Sequence, residues 1–120
     1  MDTMVKEKGK LEVKGEYSHV SGDKLTVSSK KATAHSSDDT FSVSAKKEMS
    51  LSSNSDITIE SDTTITLKVG QNSIVISSSG ITINAKSGKL DLKASGDVTT
   101  KGSTTKLQGG GNPGIPTTIT

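Results

Sequence analysis

Apolar and polar residues alternate in short bursts along this chain, and the bursts recur every eight residues. From Leu25 the sequence divides without remainder into twelve octads: LTVSSKKA, TAHSSDDT, FSVSAKKE, MSLSSNSD, ITIESDTT, ITLKVGQN, SIVISSSG, ITINAKSG, KLDLKASG, DVTTKGST, TKLQGGGN and PGIPTTIT. Position three is apolar in nine of the twelve: Val27, Val43, Leu51, Ile59, Leu67, Val75, Ile83, Leu107 and Ile115. Position one is apolar in six, and position five is Ser, Ala or Gly in eight, which predicts a crowded corner there. Upstream, LEVKGEY and SHVSGDK read as two seven-residue versions of the unit, with Gly15 and Gly22 at that corner. A period of this length decides the architecture before local propensity does.

Eight residues suit neither a helix nor a self-sufficient strand pair. Positions one and three of a strand point to one face, so each octad offers two apolar side chains inward while Ser or Thr between them faces water. A strand of about four residues then needs a turn, which Ser, Gly, Asn and Asp supply. Two inward residues per segment cannot shield a core, but segments stacked around a shared axis can, with rungs about 4.8 Å apart. The spacing therefore predicts an all-β fold, a β-helix. The phase slips twice. In SIVISSSG and KLDLKASG the apolar pair moves to positions two and four, Ile74 with Ile76 and Leu90 with Leu92. A slip of one residue flips side chains across a sheet, so local bulges are expected at both places.

Composition sharpens this picture. Only 28% of the 120 residues are hydrophobic and 2% aromatic, too few for a conventional globular core. Two classes remain: a disordered polymer, or a fibrous repeat that completes its core with other copies. The net charge of +2 is too small to drive disorder by repulsion, and basic and acidic residues interleave instead of forming a nucleic-acid-binding patch. Without cysteine there is neither a disulfide framework nor a thiolate metal site. The longest apolar run, Ile74 to Ile76, is three residues, which excludes a membrane-spanning helix and the apolar core of a secretory signal.

Charge is patterned at the corners. Octad positions six and seven read Lys30-Lys31, then Asp38-Asp39, then Lys46-Lys47. In a single-chain solenoid of three octads per turn these pairs would not meet. In three intertwined chains, octad n of one chain lies beside octad n+1 of another, and the signs alternate down a face. Exposed pairs contribute about 0.2–1 kcal/mol each, so they would set register more than stability. The competing reading is that turn positions are charged because they are wet.

The octads, the small fifth position and the stretches VKG (13–15), VSG (20–22) and LKVGQNSIVISSSGITINA (67–85) resemble the C-terminal needle of VgrG proteins of type VI secretion. They also resemble the cell-puncturing spikes of contractile-tailed phages, whose repeat reads Val-x-Gly followed by five variable residues. The resemblance covers residues 11–112; most corners here carry Ser or Ala where the phage pattern has Gly. It implies an intertwined homotrimeric triple-stranded β-helix, a triangular prism with an apolar axis. Val27, Val43, Leu51, Ile59, Leu67 and Ile83 would form the core repeat of that prism, and Lys30, Lys31, Asp38, Asp39, Lys46 and Lys47 its interchain register charges. About fourteen rungs would make a rod about 65 Å long. The function implied is a structural membrane-puncturing spike of a contractile injection machine, assembled in the bacterial cytoplasm or phage particle and delivered outside by that machine. Larger members carry a hub or a lysozyme ahead of the needle, which the ten residues before Leu11 cannot hold.

The expected organisation is an N-terminal linker or vector-derived remnant over 1–10, the needle over 11–108, and a Gly/Pro-rich tip or tail over 109–120. Gly109, Gly110 and Gly111 remove side chains where three chains could converge, and Pro113 and Pro116 cannot donate to a ladder. In the family this end is capped by a cone-shaped PAAR-repeat protein or carries an effector. Docking of such a tip partner through Gly109, Gly110, Gly111 and Ile115 is one reading, and a frayed terminus is the other. The remaining expected partners are further copies of the chain and, transiently, the target-cell membrane; no nucleic acid is expected.

His35 occupies an inward third position with Thr33 beside it, so three copies would converge on an axial site for a metal ion, an anion or water. The His-x-His motif that holds an ion at the tip of some phage spikes is missing, and no resident metal or other cofactor is expected. His19 reads as an outward, solvated residue. No enzyme is expected. Serines near His35 and Asp38 follow from the turn composition, and Asp38 and Asp39 are adjacent turn residues that point apart instead of facing across a cleft. The alternative is a trimeric fibre or single-chain β-solenoid acting as a receptor-binding module. An ice-binding solenoid would need ranks of outward Thr-x-Thr, whereas the outward pairs are Thr58 with Glu60, Thr66 with Lys68 and Thr82 with Asn84. Receptor fibres end in a bulkier aromatic head, and the chain has only Tyr17 and Phe41, both inside the repeat.

Overall fold

The computed structural model describes residues 4–109. The chain divides into two units, Met1–Ser50 and Leu51–Thr120. In the first, the described backbone is extended and interrupted by sharp bends at 6–7, 14–15, 22–23, 30–31, 38–39 and 46–47. The second continues with bends at 54–55 and 62–63, then forms three strands and bends again at 86–88, 95–96 and 102–104. Corners from 6 to 63 thus keep an interval of eight residues. The elements are β1 (Thr64–Val69), β2 (Asn72–Ser77) and β3 (Gly80–Asn84), so the described residues are all-β, with no helix among them to cross a membrane.

The eight-residue interval corrects the reading upstream of Leu25. The two segments there are not seven-residue units. Bends at 14–15 and 22–23 lie eight apart because Gly15 takes the second corner position of its octad and Gly22 the first of the next. The glycines are seven apart while the frame stays at eight. One consequence is that His19, exposed to solvent as expected, stands at the same place relative to its corner as Val27 and Val43. The residues two and four places beyond each corner form a recurring set: Leu25 and Val27, Phe41 and Val43, Ile57 and Ile59, and equally Tyr17 and His19. The Tyr17 and His19 rings meet edge to face, 6.4 Å between centroids, as side chains two apart on one strand face can.

The three strands form an antiparallel meander in the order β1-β2-β3. Two-residue links, Gly70-Gln71 and Ser78-Ser79, join them. Gly70 has φ +57° and Gly80, opening β3, has φ +149°, both in the region where a Cβ is strained. The register is unbroken: Ile65 pairs with Ile76 and Ile76 with Ile81, while Leu67 pairs with Ile74 and Ile74 with Ile83. The first phase slip is therefore not a bulge. When a strand reverses through a two-residue link, the apolar pair must move by one position to stay on the same face as its partners. The second slip is absorbed at the corner, which widens to three residues, 86–88, with Gly88 at φ +88°. Leu90 and Leu92 then lie two and four places past it, like every other inward pair.

Asn72, half-buried at the start of β2, fastens that widened corner: its side-chain oxygen accepts the Ser87 N–H at 3.0 Å. Gly70 carries the tightest backbone demand in the meander. Gly70→Ala places a Cβ in the left-handed region at a cost of about 1–2 kcal/mol, and should speed amide exchange in β1 and β2 about tenfold. Gly70→Asn should cost less, since Asn tolerates that region; hydrogen exchange across Thr64–Asn84 reads both.

Candidate functional site

The candidate site is built from what each octad presents, within each of the two units taken by itself. Its first component is the inward rank. Among the described residues no hydrophobic side chain is buried. Val27 is 69% exposed, Leu51 72% and Ile59 66%, and Val43, Leu67 and Ile83 are exposed as well. All six predicted core-repeat residues thus lie at equivalent places relative to their corners, on the same side of the local strand, and none is buried by its own chain. Fully burying one such side chain contributes about 1.5–3 kcal/mol, and the single chain leaves more than half of each residue's surface in water.

The meander gathers the rank into its densest patch. Ile65, Leu67, Ile74, Ile76, Ile81 and Ile83 share one sheet face, because Cα partners across an antiparallel ladder point the same way. Thr66, Lys68, Ser73, Ser77, Thr82 and Asn84 occupy the other, along with Val75. On the apolar side Leu67, Val69, Ile74, Ile83 and Leu90 line an open cleft of about 310 Å³.

The second component is the corner, and here the residue signal carries a different meaning from the one first read. Bends fall at positions six and seven, and the small fifth residue precedes them. Within one chain the corner is not crowded: a Cβ added at Gly15 or Gly22 would meet nothing within 4 Å. What the fifth position supplies is a hydroxyl. Ser29 Oγ accepts the Lys31 N–H at 3.3 Å and donates to the Ala32 carbonyl at 3.3 Å. Ser37 Oγ accepts the Asp39 N–H at 3.2 Å and donates to the Thr40 carbonyl at 3.1 Å. Ser77 accepts the Ser79 N–H and donates to the Gly80 carbonyl. Ser53 and Ser61 accept the N–H two residues on, and Ser21 donates to the Lys24 carbonyl. One side chain so replaces the backbone partners that a sharp bend gives up. The column of serines in the octad alignment was the available signal for these hydrogen bonds, which a reading by size alone missed.

The paired charges sit at the bends themselves: Lys30-Lys31, Asp38-Asp39 and Lys46-Lys47 occupy consecutive corners, exposed to solvent. They make no ion pair with one another within the chain. The ion pairs among the described residues are Lys10 with Glu12 at 2.9 Å and Lys89 with Asp91 at 3.2 Å. Each flanks an inward leucine, Leu11 or Leu90, from the opposite strand face. His35 is exposed on the inward rank, and no group of three potential ligands gathers within the described chain. An axial site there would draw one imidazole from each of several copies. Of the tip residues Gly109 is exposed, while Gly110, Gly111 and Ile115 lie outside the described residues.

No family model matches the chain, and no curated protein or solved structure is significantly similar to it.

If the serines brace the corners, replacing Ser29, Ser37, Ser53 and Ser61 together by alanine should lower the denaturation midpoint, by about 0.5 kcal/mol for each exposed hydrogen-bonded corner. Ala45→Ser, which adds a hydroxyl at an unbraced corner, should shift the midpoint the other way. Urea titration of the two variants beside the parent protein compares them directly.

Proposed function

We propose that the chain is the needle of a membrane-puncturing spike, in which three copies wind into a triple-stranded β-helix with the inward rank on its axis. The observation that carries the reading is the coincidence of two periods. Apolar pairs recur at a constant distance past corners that recur every eight residues, and the single chain buries none of the described pairs. Whatever covers this face must present apolar pairs at the same interval over the same length, and another copy of the chain does so. A single-chain solenoid would bury its own rank, and a receptor-binding fibre would need a head that the repeat does not provide.

In such a prism each strand outside the meander would hydrogen-bond to a different chain, so unfolding of those octads and dissociation would become one event and stability would be largely kinetic. Closed faces would leave no lateral edge to aggregate. The polar outward surface would not partition into a bilayer unaided, so the axial thrust would come from a contractile machine. The end beginning at Gly109 would receive a PAAR-like tip protein or an effector, with Gly110, Gly111 and Ile115 completing the contact.

Light scattering combined with an unboiled SDS gel is the direct experiment. A threefold mass that resists SDS is expected; a monomeric mass would remove the shared core and overturn the needle. The corner charges give a second expectation. Replacing Asp38 and Asp39 by lysine would set like charges beside Lys30-Lys31 and Lys46-Lys47 of neighbouring chains, lowering resistance to SDS at low salt. Adding Lys46→Asp and Lys47→Asp should restore part of it, and high salt should shrink both effects by screening.

A further inference from the structure

A repeat that associates through identical octads has a register problem. Sliding one chain past another by eight residues places apolar pairs on apolar pairs again, and little in a uniform rank penalises the slip. The meander Thr64–Asn84 is the one described segment that breaks this degeneracy. It gathers three apolar pairs on one face, and no other described segment forms a sheet.

We infer that the meander is the register clamp and assembly nucleus of the chain: its face of Ile65, Leu67, Ile74, Ile76, Ile81 and Ile83 docks against the same face of other copies before the octads on either side wind together. The inference rests on the needle reading and adds where and how the copies first meet. Three observations carry it. The ladders are local, joining Thr64 to Ser77 and Ser73 to Asn84 across two-residue links, so the sheet forms within one chain without waiting for an encounter. The octads upstream have no such ladder and depend on a partner. The six sheet residues of the face are aliphatic, and Lys89 at the rim of its cleft is already paired with Asp91, so charge does not select a foreign acidic or basic partner. Finally, the meander is continuous with the inward rank: bends at 62–63 and 86–88 lead into octads whose pairs, such as Ile57 with Ile59 and Leu90 with Leu92, are also uncovered. A copy docked on the meander is therefore already aligned to cover the flanking octads, while a shorter unrelated partner would leave them bare.

Refolding of the full chain from guanidinium, followed by pulsed hydrogen exchange at several protein concentrations, tests this. Amides of Thr64–Asn84 should gain protection first, at a rate independent of concentration, and those of residues 25–61 only as the threefold mass appears. Ile74→Thr with Ile76→Thr should slow assembly about tenfold, whereas Leu51→Thr with Ile59→Thr should leave the assembly rate within about twofold and speed dissociation in denaturant instead. Equal slowing by the two pairs, or protection of 25–61 before or together with the meander, would overturn the clamp while leaving a trimeric needle standing. If the Ile74/Ile76 variant fails to assemble at all, the order of protection in the parent chain decides. A parent chain that stays monomeric at every concentration overturns the clamp and the needle together.

Discussion

Everything in this chain follows from a shortage of apolar side chains spread evenly along it. Two inward residues per octad are too few to cover one another, and the intervening polar residues and braced corners prevent a local cluster outside the meander. Folding a residue into one backbone conformation costs about 1–2 kcal/mol, and a hydrophobic core is the usual compensation. Here no described hydrophobic residue is buried in the single chain. The deficit is uniform, so its remedy must be uniform too. A partner with the same period covers every octad alike, which is why the proposed function is argued from a spacing and not from a cleft.

The corners make that spacing rigid enough to matter. A rank of side chains is a continuous surface only if each strand ends after the same number of residues and turns the same way. Serine at the fifth position does this economically, with one hydroxyl able to satisfy a backbone N–H and a carbonyl across the bend, as at Ser29 and Ser37. Because these bonds are local they would form in a free chain as readily as in an assembly. The corner geometry therefore precedes association, and the charged residues at positions six and seven are held outward wherever the rank is held inward. Lysine pairs at one corner and aspartate pairs at the next then become a pattern that a neighbouring chain could read.

The octad was legible because a period survives substitution: Val, Leu, Ile, Phe and Met all serve at the inward positions, and only their spacing is constrained. The all-β class followed from it. What was not legible were the places where two frames compete. Gly15 and Gly22 suggested a seven-residue unit because glycine fits either corner position, and that frame put His19 out of step with the apolar positions of the later octads. The slip at Ile74 and Ile76 was read as a bulge because a forward-running chain was assumed. Reversal through Gly70-Gln71 requires the same slip with no bulge, and a glycine in a two-residue gap between alternating runs was the signal for it. The candidate face itself was legible residue by residue, from Val27 to Ile83. Its six-residue concentration on one sheet was not, since that depends on which strands pair.

A uniform repeat and a defined register are in tension, and the meander is where this sequence resolves it. Regularity would make the proposed needle stiff, since every rung would transmit load to the next through equivalent contacts, but it would also leave adjacent registers nearly equal in energy. One irregular segment, able to fold on its own and placed within the array, removes the degeneracy at little cost to the rest. Its hairpin links run against the direction of a wound strand, and its apolar pairs are out of phase with their neighbours along the chain. Those same features align all three pairs on one face. In the proposed assembly, the apparent defects of the repeat near its middle would therefore distinguish one alignment of the chains from all the others.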